Sequence, residues 1–337
     1  ENEFIEKTGC TKKYGIEFIN WRGDNKSFKH NFQRDSEMFA YHFDARLVAK
    51  YLQDISEERN VNYIDGLITG FNEDEFGINQ IVLEDGSLID CDFIFDCSGF
   101  QHLIIGKHFK AEWKSYEKDL VCNSAIAFFL PQTNPTIQNE KTWTQGIAMK
   151  YGWVWGAPLK HRWGCGYVFN DTYITNEEAK KEVEDYLGKE IKIVKTFKFD
   201  AGTYAETWIN NCVALGLAGG FLEPLEGTSL MSVIWALHKL GDIKLENCNS
   251  KNRKLYNDYV NNVNYQSMLF VRHHYNCGRT DTKFWKDINN SKLPLDLIKI
   301  LKSIENDVED DSLIYITNKK DRLLMFGKYN YQIVDLG

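Results

Sequence analysis

Apolar residues follow two rhythms along the chain. One is the two-residue alternation of a strand and the other the three-to-four-residue spacing of a helix. A short helix opens the chain, and alternation around Gly15-Ile-Glu-Phe-Ile-Asn-Trp21 then predicts strands up to about residue 40. Leu47, Val48, Tyr51 and Leu52 return at helical spacing behind Asp44, which is placed to cap a helix over 43–52. A strand meander is expected over 62–100, with runs at 62–64, 67–69 and 78–83. Glu84-Asp-Gly-Ser87 supplies a hairpin turn, and a buried strand over 89–95 leads into Asp96-Cys-Ser-Gly-Phe100.

Further strands are predicted at 122–130, 143–150, 152–158 and 166–169, and a surface helix at 173–188. Strand character returns over 201–217. A helix over 228–240 carries Leu230, Val233, Ile234, Leu237 and Leu240 on one stripe. From about residue 250 the chain reads as polar helices with an intermittent stripe of Tyr256, Tyr259, Val263 and Met268.

Composition narrows the class. The 337 residues are 43% hydrophobic and 26% charged, which excludes disordered and fibrous chains. A formal charge of −8 repels phosphate backbones, and nucleic acid is not an expected partner. The apolar runs 124–130 and 212–222 fall short of the roughly 20 residues that span a bilayer, so no membrane segment is expected. Eight cysteines are scattered without a CxxC pair, the usage of reduced thiols in a cytoplasmic protein. No HExxH is present, and the adjacent His273 and His274 point apart, so no metal site is expected.

Three segments carry candidate chemistry. Phe93-Ile-Phe-Asp-Cys-Ser-Gly99 is a strand ending in a tight turn, which can be a ligand-binding sheet edge or only a turn. From Cys212 a strand runs through Gly216, Ala218, Gly219 and Gly220 to Pro224 and the helix at Thr228. Small residues there admit a close-lying group, and the helix start favours an anion. Glu223 and Glu226 stand beside it, and the plain alternative is a capped helix with a solvated Glu. In Gly152-Trp-Val-Trp-Gly-Ala-Pro158, Trp153 and Trp155 share a strand face, either as a site wall or as core.

Together the segments resemble the flavin-dependent halogenases whose best-known members chlorinate tryptophan. The matching texts are Gly15-Ile-Glu-Phe with Trp21, Tyr41-His-Phe-Asp-Ala45, Asp96-Cys-Ser-Gly-Phe100, Gly152-Trp-Val-Trp-Gly-Ala-Pro158 and Leu215 through Leu230. His274-Tyr275 and Arg279-Thr-Asp-Thr-Lys-Phe-Trp285 follow in family order. The resemblance implies an α/β fold: an incomplete flavoprotein-monooxygenase-like FAD-binding fold, a β-sheet substrate region and a helical C-terminal part. The implied division is an FAD-domain portion at 1–120 without its first βαβ unit and a β-rich substrate region at 121–204. The chain would return to the FAD domain at 205–245, and a helical substrate-covering region would occupy 246–337.

The family uses reduced FAD, O2 and chloride or bromide to make hypohalous acid, which reaches an active-site Lys and halogenates a small aromatic, indole-like substrate. Reduced FAD comes from a separate flavin reductase, and a homodimer is one assembly the resemblance allows. By motif, Glu226 is the catalytic carboxylate, and Thr228 and Ser229 hold the halide. The resemblance implies that Leu67, Asp96, Ser98, Gly99, Leu217 and Leu230 bind the cofactor and that Trp153, Trp155 and Pro158 separate substrate from flavin.

Some features depart from the pattern. The G-x-G-x-x-G fingerprint and the active-site Lys are not found, and the chain reads as an excerpt. Gly227 replaces Ser, Ala157 replaces Ile, and the C-terminus is short. Two other readings follow: a flavin monooxygenase that hydroxylates an aromatic, or a non-catalytic remnant without FAD.

Overall fold

The computed structural model describes residues 1–32, 38–133, 142–243, 245, 248–306 and 325–336. Its largest element is an eight-stranded sheet. This sheet takes in β1 (Thr11–Ile19), β2 (Ser27–Asn31), β3 (Ala40–His42), β9 (Ser124–Pro131), β10 (Thr142–Ala148), β11 (Gly152–Pro158), β12 (Arg162–Phe169) and β13 (Ile193–Lys198). The order is β13-β9-β12-β11-β10-β1-β2, with β3 also on β1. Only β1 and β10 pair in parallel. The expected boundary at residue 120 is therefore crossed, because β1–β3 are built into the sheet of the 121–204 region.

Three smaller sheets complete the strands. One is the hairpin sheet of β4 (Ile68–Asp74), β5 (Gly77–Leu83) and β6 (Leu88–Asp90). The second joins β7 (Ile94–Asp96) in parallel to β16 (Cys212–Ala214), which also pairs with β15 (Trp208–Ile209). The third is β8 (Trp113–Ser115), β14 (Gly202–Tyr204) and β17 (Gly220–Phe221). The expected strand over 89–95 is thus two pieces in different sheets. Cys91 and Asp92 break it, and Phe95 faces out at 44% exposure. The stretch 201–217 likewise splits into β14, β15 and β16, and 62–64 forms no strand.

The helices are α1 (Asn2–Thr8), α2 (Ala45–Glu58), α3 (Asn176–Leu187), α4 (Thr228–Ile243), α5 (Ser250–His274), α6 (Lys283–Asn290), α7 (Leu295–Glu305) and α8 (Lys328–Leu336). Their starts follow from local chemistry. The Asp44 side chain accepts from the Arg46 N–H, Thr175 and Glu178 form a capping box, and Asn249 caps α5. Of the helical region expected at 246–337, residues 307–324 lie outside the described residues.

Strand alternation sorts the core into two faces. Phe18, Ala148, Trp153 and Val168 face α5–α8 in one cluster, together with Leu222, Leu225, Tyr275 and Trp285. Ile147, Val154, Tyr167 and Phe169 face the other way, against Ala179 and Val183 of α3. The α4 stripe behaves differently from expectation. Ala236, Leu240 and Ile243 are buried, while Leu230, Ile234 and Leu237 are exposed. The predicted α2 stripe is also exposed at Leu47 and Leu52. Among the described residues no helix is long and apolar enough to cross a membrane.

Candidate active site

A 3₁₀ turn over Pro224–Glu226 sits between β17 and α4. Gly227 follows it with φ +67°, a left-handed position that L side chains rarely adopt, and lets the chain swing into α4. Glycine where the family has Ser therefore suits the turn's own backbone. The turn buries Glu226, whose side chain is 4% exposed.

Two histidines from distant elements meet that carboxylate. His30 on β2 places Nδ1 3.0 Å from Glu226 Oε1, and His274 at the end of α5 places Nε2 2.7 Å from the same oxygen. Hydrogen-bond partners set the proton positions. The Gly327 N–H donates to Asn330 Oδ1, so the Asn330 amide group donates to His30 Nε2 at 3.0 Å. His30 then carries its proton on Nδ1 and donates to Glu226. His274 Nδ1 lies 2.8 Å from the Phe270 carbonyl oxygen, which only accepts. Nδ1 carries a proton there, and Nε2 faces Glu226 Oε1. Burial lowers the His274 imidazole, and the Glu226 carboxylate opposes that shift without reversing it.

Burial alone would raise the Glu226 carboxyl. The His30 charge and the hydrogen bonds from His274 and His30 outweigh it and hold the group well below the usual carboxylate range. Burial lowers the His30 imidazole, but Glu226 reverses the sign and leaves it raised.

One residue missed in the sequence joins this cluster. Lys13 on β1 has its amine lowered by burial, with the charge of Glu226 opposing the shift. Lys13 also acts electrostatically on His30 and His42, and burial together with Lys13 pushes His42 down to about 3. The partly buried Lys13 amine and Glu226 thus act on one another electrostatically. Neither Lys13 nor His30 had a local sequence signal: each is a strand residue whose partner lies on another element, 196 positions away for His30 and Glu226.

Of the residues predicted for halide and flavin, Thr228, Ser229 and Leu230 start α4 at the far end of the same turn, and Leu217 lies in a 3₁₀ turn that contacts that helix. Thr228 is fully buried, and neither its Oγ1 nor the buried Oγ of Ser229 has a hydrogen-bond partner. A cavity of about 30 Å³ runs past Ser229, Gly216, Gly219 and Gly220. A Cβ on Gly219 or Gly220 would come within 3.0 Å of backbone oxygen, so the small residues keep this crossing tight. The orphaned hydroxyls and half-buried Leu217 fit an anion and a flat apolar ring system. Leu230 is exposed beside them.

The turn at Ser98–Gln101 lies beside this crossing, and the Leu215 N–H donates to the Asp96 carbonyl at 3.0 Å. The Asp96 carboxylate is occupied by its own chain, accepting the N–H groups of Ser98, Ile104 and Ile105. Ser98 Oγ accepts the Leu103 N–H, and Gly99 has φ +64°. Leu67 lies just before β4, where its carbonyl accepts from the Glu84 N–H, and its side chain is exposed.

Trp153 and Trp155 meet edge to face, with ring centroids 6.5 Å apart. Trp153 is 1% exposed and Pro158 is buried. Trp155 lies across Gly166, its partner on β12, where a Cβ would fall 1.9 Å from the indole. Among the described residues no group of three or more His, Cys, Asp and Glu could hold a metal ion.

The sequence and the fold are similar to those of known proteins. The family model described as tryptophan halogenase matches residues 33–337. The chain is 30% identical over 299 residues to the 7-chloro-L-tryptophan 6-halogenase KtzR of Kutzneria sp. (strain 744), covering 86% of this chain and 57% of that protein. It is 30% identical over 314 residues to the tryptophan 7-halogenase RebH of Lentzea aerocolonigenes, covering 89% and 59%. The chain thus spans less than two thirds of the length of these relatives. The fold matches BrvH, a flavin-dependent halogenase from Brevundimonas sp. BAL3, at 25% identity and a TM-score of 0.83, over 90% of this chain and 73% of that one. With a motif set in family order, a matching fold and a family model over most of its length, this chain belongs to the tryptophan halogenase family.

Proposed function

We propose that the protein is a flavin-dependent halogenase that places chlorine or bromine on an aromatic, indole-like substrate. The observation that carries this reading is Glu226: a buried, ionised carboxylate held by two histidines and electrostatically coupled to the Lys13 amine. When bound, reduced FAD from a separate flavin reductase would supply the chemistry that makes hypohalous acid from O2 and halide.

Leu217, Leu230 and the Ser98–Gly99 turn would line the flavin, and Thr228 and Ser229 would hold the halide. Lys13 donates a hydrogen bond to the hypohalous acid and presents its halogen to the aromatic carbon. The carbon–halogen bond forms as the halogen–oxygen bond breaks; Lys13 gives a proton to the leaving hydroxide, which departs as water, and the ring carbon then gives up its own proton. Glu226 accepts that ring proton, and its depressed pKa keeps it ready to do so at neutral pH. Trp153 and Trp155 keep the ring off the flavin, which favours halogenation over direct hydroxylation.

Product mass tests the reading. With FAD, a reductase, O2 and an indole library, the product should carry chlorine in chloride and bromine in bromide. A product that gains oxygen whatever the halide would overturn it in favour of hydroxylation.

A further inference from the structure

Glu223 opens the turn that Glu226 closes, and the chemistry above gives it no task. It is 0% exposed. Its Oε2 accepts the Trp153 indole N–H at 2.9 Å and the Tyr275 hydroxyl, while its Oε1 is buried without a hydrogen-bond partner. A carboxylate here would leave charge on a buried Oε1 that no protein group pairs. The neutral acid puts its proton on Oε1 and leaves Oε2 as a carbonyl oxygen accepting two bonds.

The titratable groups facing Glu223 are the Tyr275 hydroxyl at the end of α5 and the Cys122 thiol just before β9, which lie 3.3 Å apart. Burial pushes both well above their ordinary values, so neither supplies a charge. Burial lifts Glu223 itself to about 7, against the hydrogen bonds from Tyr275 and Trp153 and the weaker pull of the nearby Cys122 backbone.

His274 and Tyr275 are neighbours, and each takes one of the two glutamates: His274 bonds Glu226 and Tyr275 bonds Glu223. The turn and the helix end are joined twice, and Trp153 hangs from the second joint. We infer that Glu223 is a positioning residue which, as a neutral acid, fixes the Trp153 indole and the end of α5 against the Pro224–Glu226 turn, so that the tryptophan wall and Glu226 keep one mutual setting. The consequence for halogenation rests on the halogenase reading, whereas the placement of Trp153 does not.

The test follows the indole ¹⁵N–¹H resonance of Trp153, assigned with W153F, in wild type, E223Q and E223A. Gln presents the same accepting oxygen as the neutral acid. E223Q should therefore keep the resonance at the wild-type low-pH position up to about pH 9, and E223A should displace it at every pH. A resonance displaced in E223Q, or unmoved in E223A, overturns the proposal; if E223A does not fold, E223Q still decides. In turnover, E223A should lose about tenfold in halogenated product per flavin oxidised, the scale of one buried hydrogen bond. E223Q should restore it, and an E223Q as poor as E223A contradicts the proposal. Absence of halogenation in wild type would count against the halogenase reading instead, and the indole resonance would still decide the role of Glu223.

Discussion

His274 bonds the Glu226 carboxylate at 2.7 Å through Nε2 while its Nδ1 is committed to the Phe270 carbonyl at 2.8 Å. The imidazole is thereby locked in orientation, and the contact with Glu226 depends on one proton. His274→Phe removes that partner and leaves a buried carboxylate with His30. The expected cost is about 3–5 kcal/mol, read from urea unfolding at neutral pH.

Glu226 also predicts a pH dependence. Its folded pKa is depressed, so its contribution to stability is present above the unfolded value of roughly 4.3 and is lost as pH falls through the folded value. The stability gap between wild type and Glu226→Gln should be widest between about pH 4 and 6.5, shrinking in acid as Glu226 is protonated and narrowing above that window as the raised His30 loses its proton. Chemical unfolding at a series of pH values measures it, and a gap that does not shrink in acid contradicts the assignment.

Lys13 gives the opposite sign. Burial lowers its amine, so the charged form is disfavoured in the folded state, and that penalty fades as pH rises through the folded pKa. Lys13→Met should therefore be more stable than wild type at neutral pH, with the gap narrowing in base. The same variant should lose halogenation by about 10²–10³, the scale of removing one aligned donor. Parallel thermal unfolding and product assays check both halves.

Gly166 is predicted to be a spacer for Trp155. A Cβ there would fall 1.9 Å from the indole, so Gly166→Val should cost about 1–3 kcal/mol through overpacking. In the Trp155→Ala background the same change should cost much less, and a double-mutant cycle reads the difference.

Asp96 binds three backbone N–H groups of its own chain. Asp96→Ala should leave them unpaired, cost about 2–4 kcal/mol and lower flavin retention by loosening the Ser98–Gln101 turn. Unfolding and a flavin-binding titration test the two effects together.

Much of this architecture is readable in the sequence where local chemistry decides. Asp44 and the Asp85-Gly86 hairpin mark real element ends. The reading failed where tertiary context decides. The run 89–95 is continuous in hydrophobicity, yet its two halves pair with different sheets. The α4 stripe is helical in spacing, yet Leu230, Ile234 and Leu237 face outward. In the site, Glu226, Thr228 and Ser229 share one contiguous motif and were identifiable. Lys13 and His30 come to Glu226 only through the pairing of β1 and β2, which no local pattern encodes.

The central claim is that Glu226 serves the halogenation of the ring and not the oxidation of flavin. The direct measurement is Glu226→Gln with reduced FAD, O2, halide and an accepted aromatic substrate, counting flavin oxidised and halogenated product in the same reaction. The account predicts that flavin oxidation continues at the wild-type rate while halogenated product is lost. Halogenation persisting near the wild-type rate would contradict it.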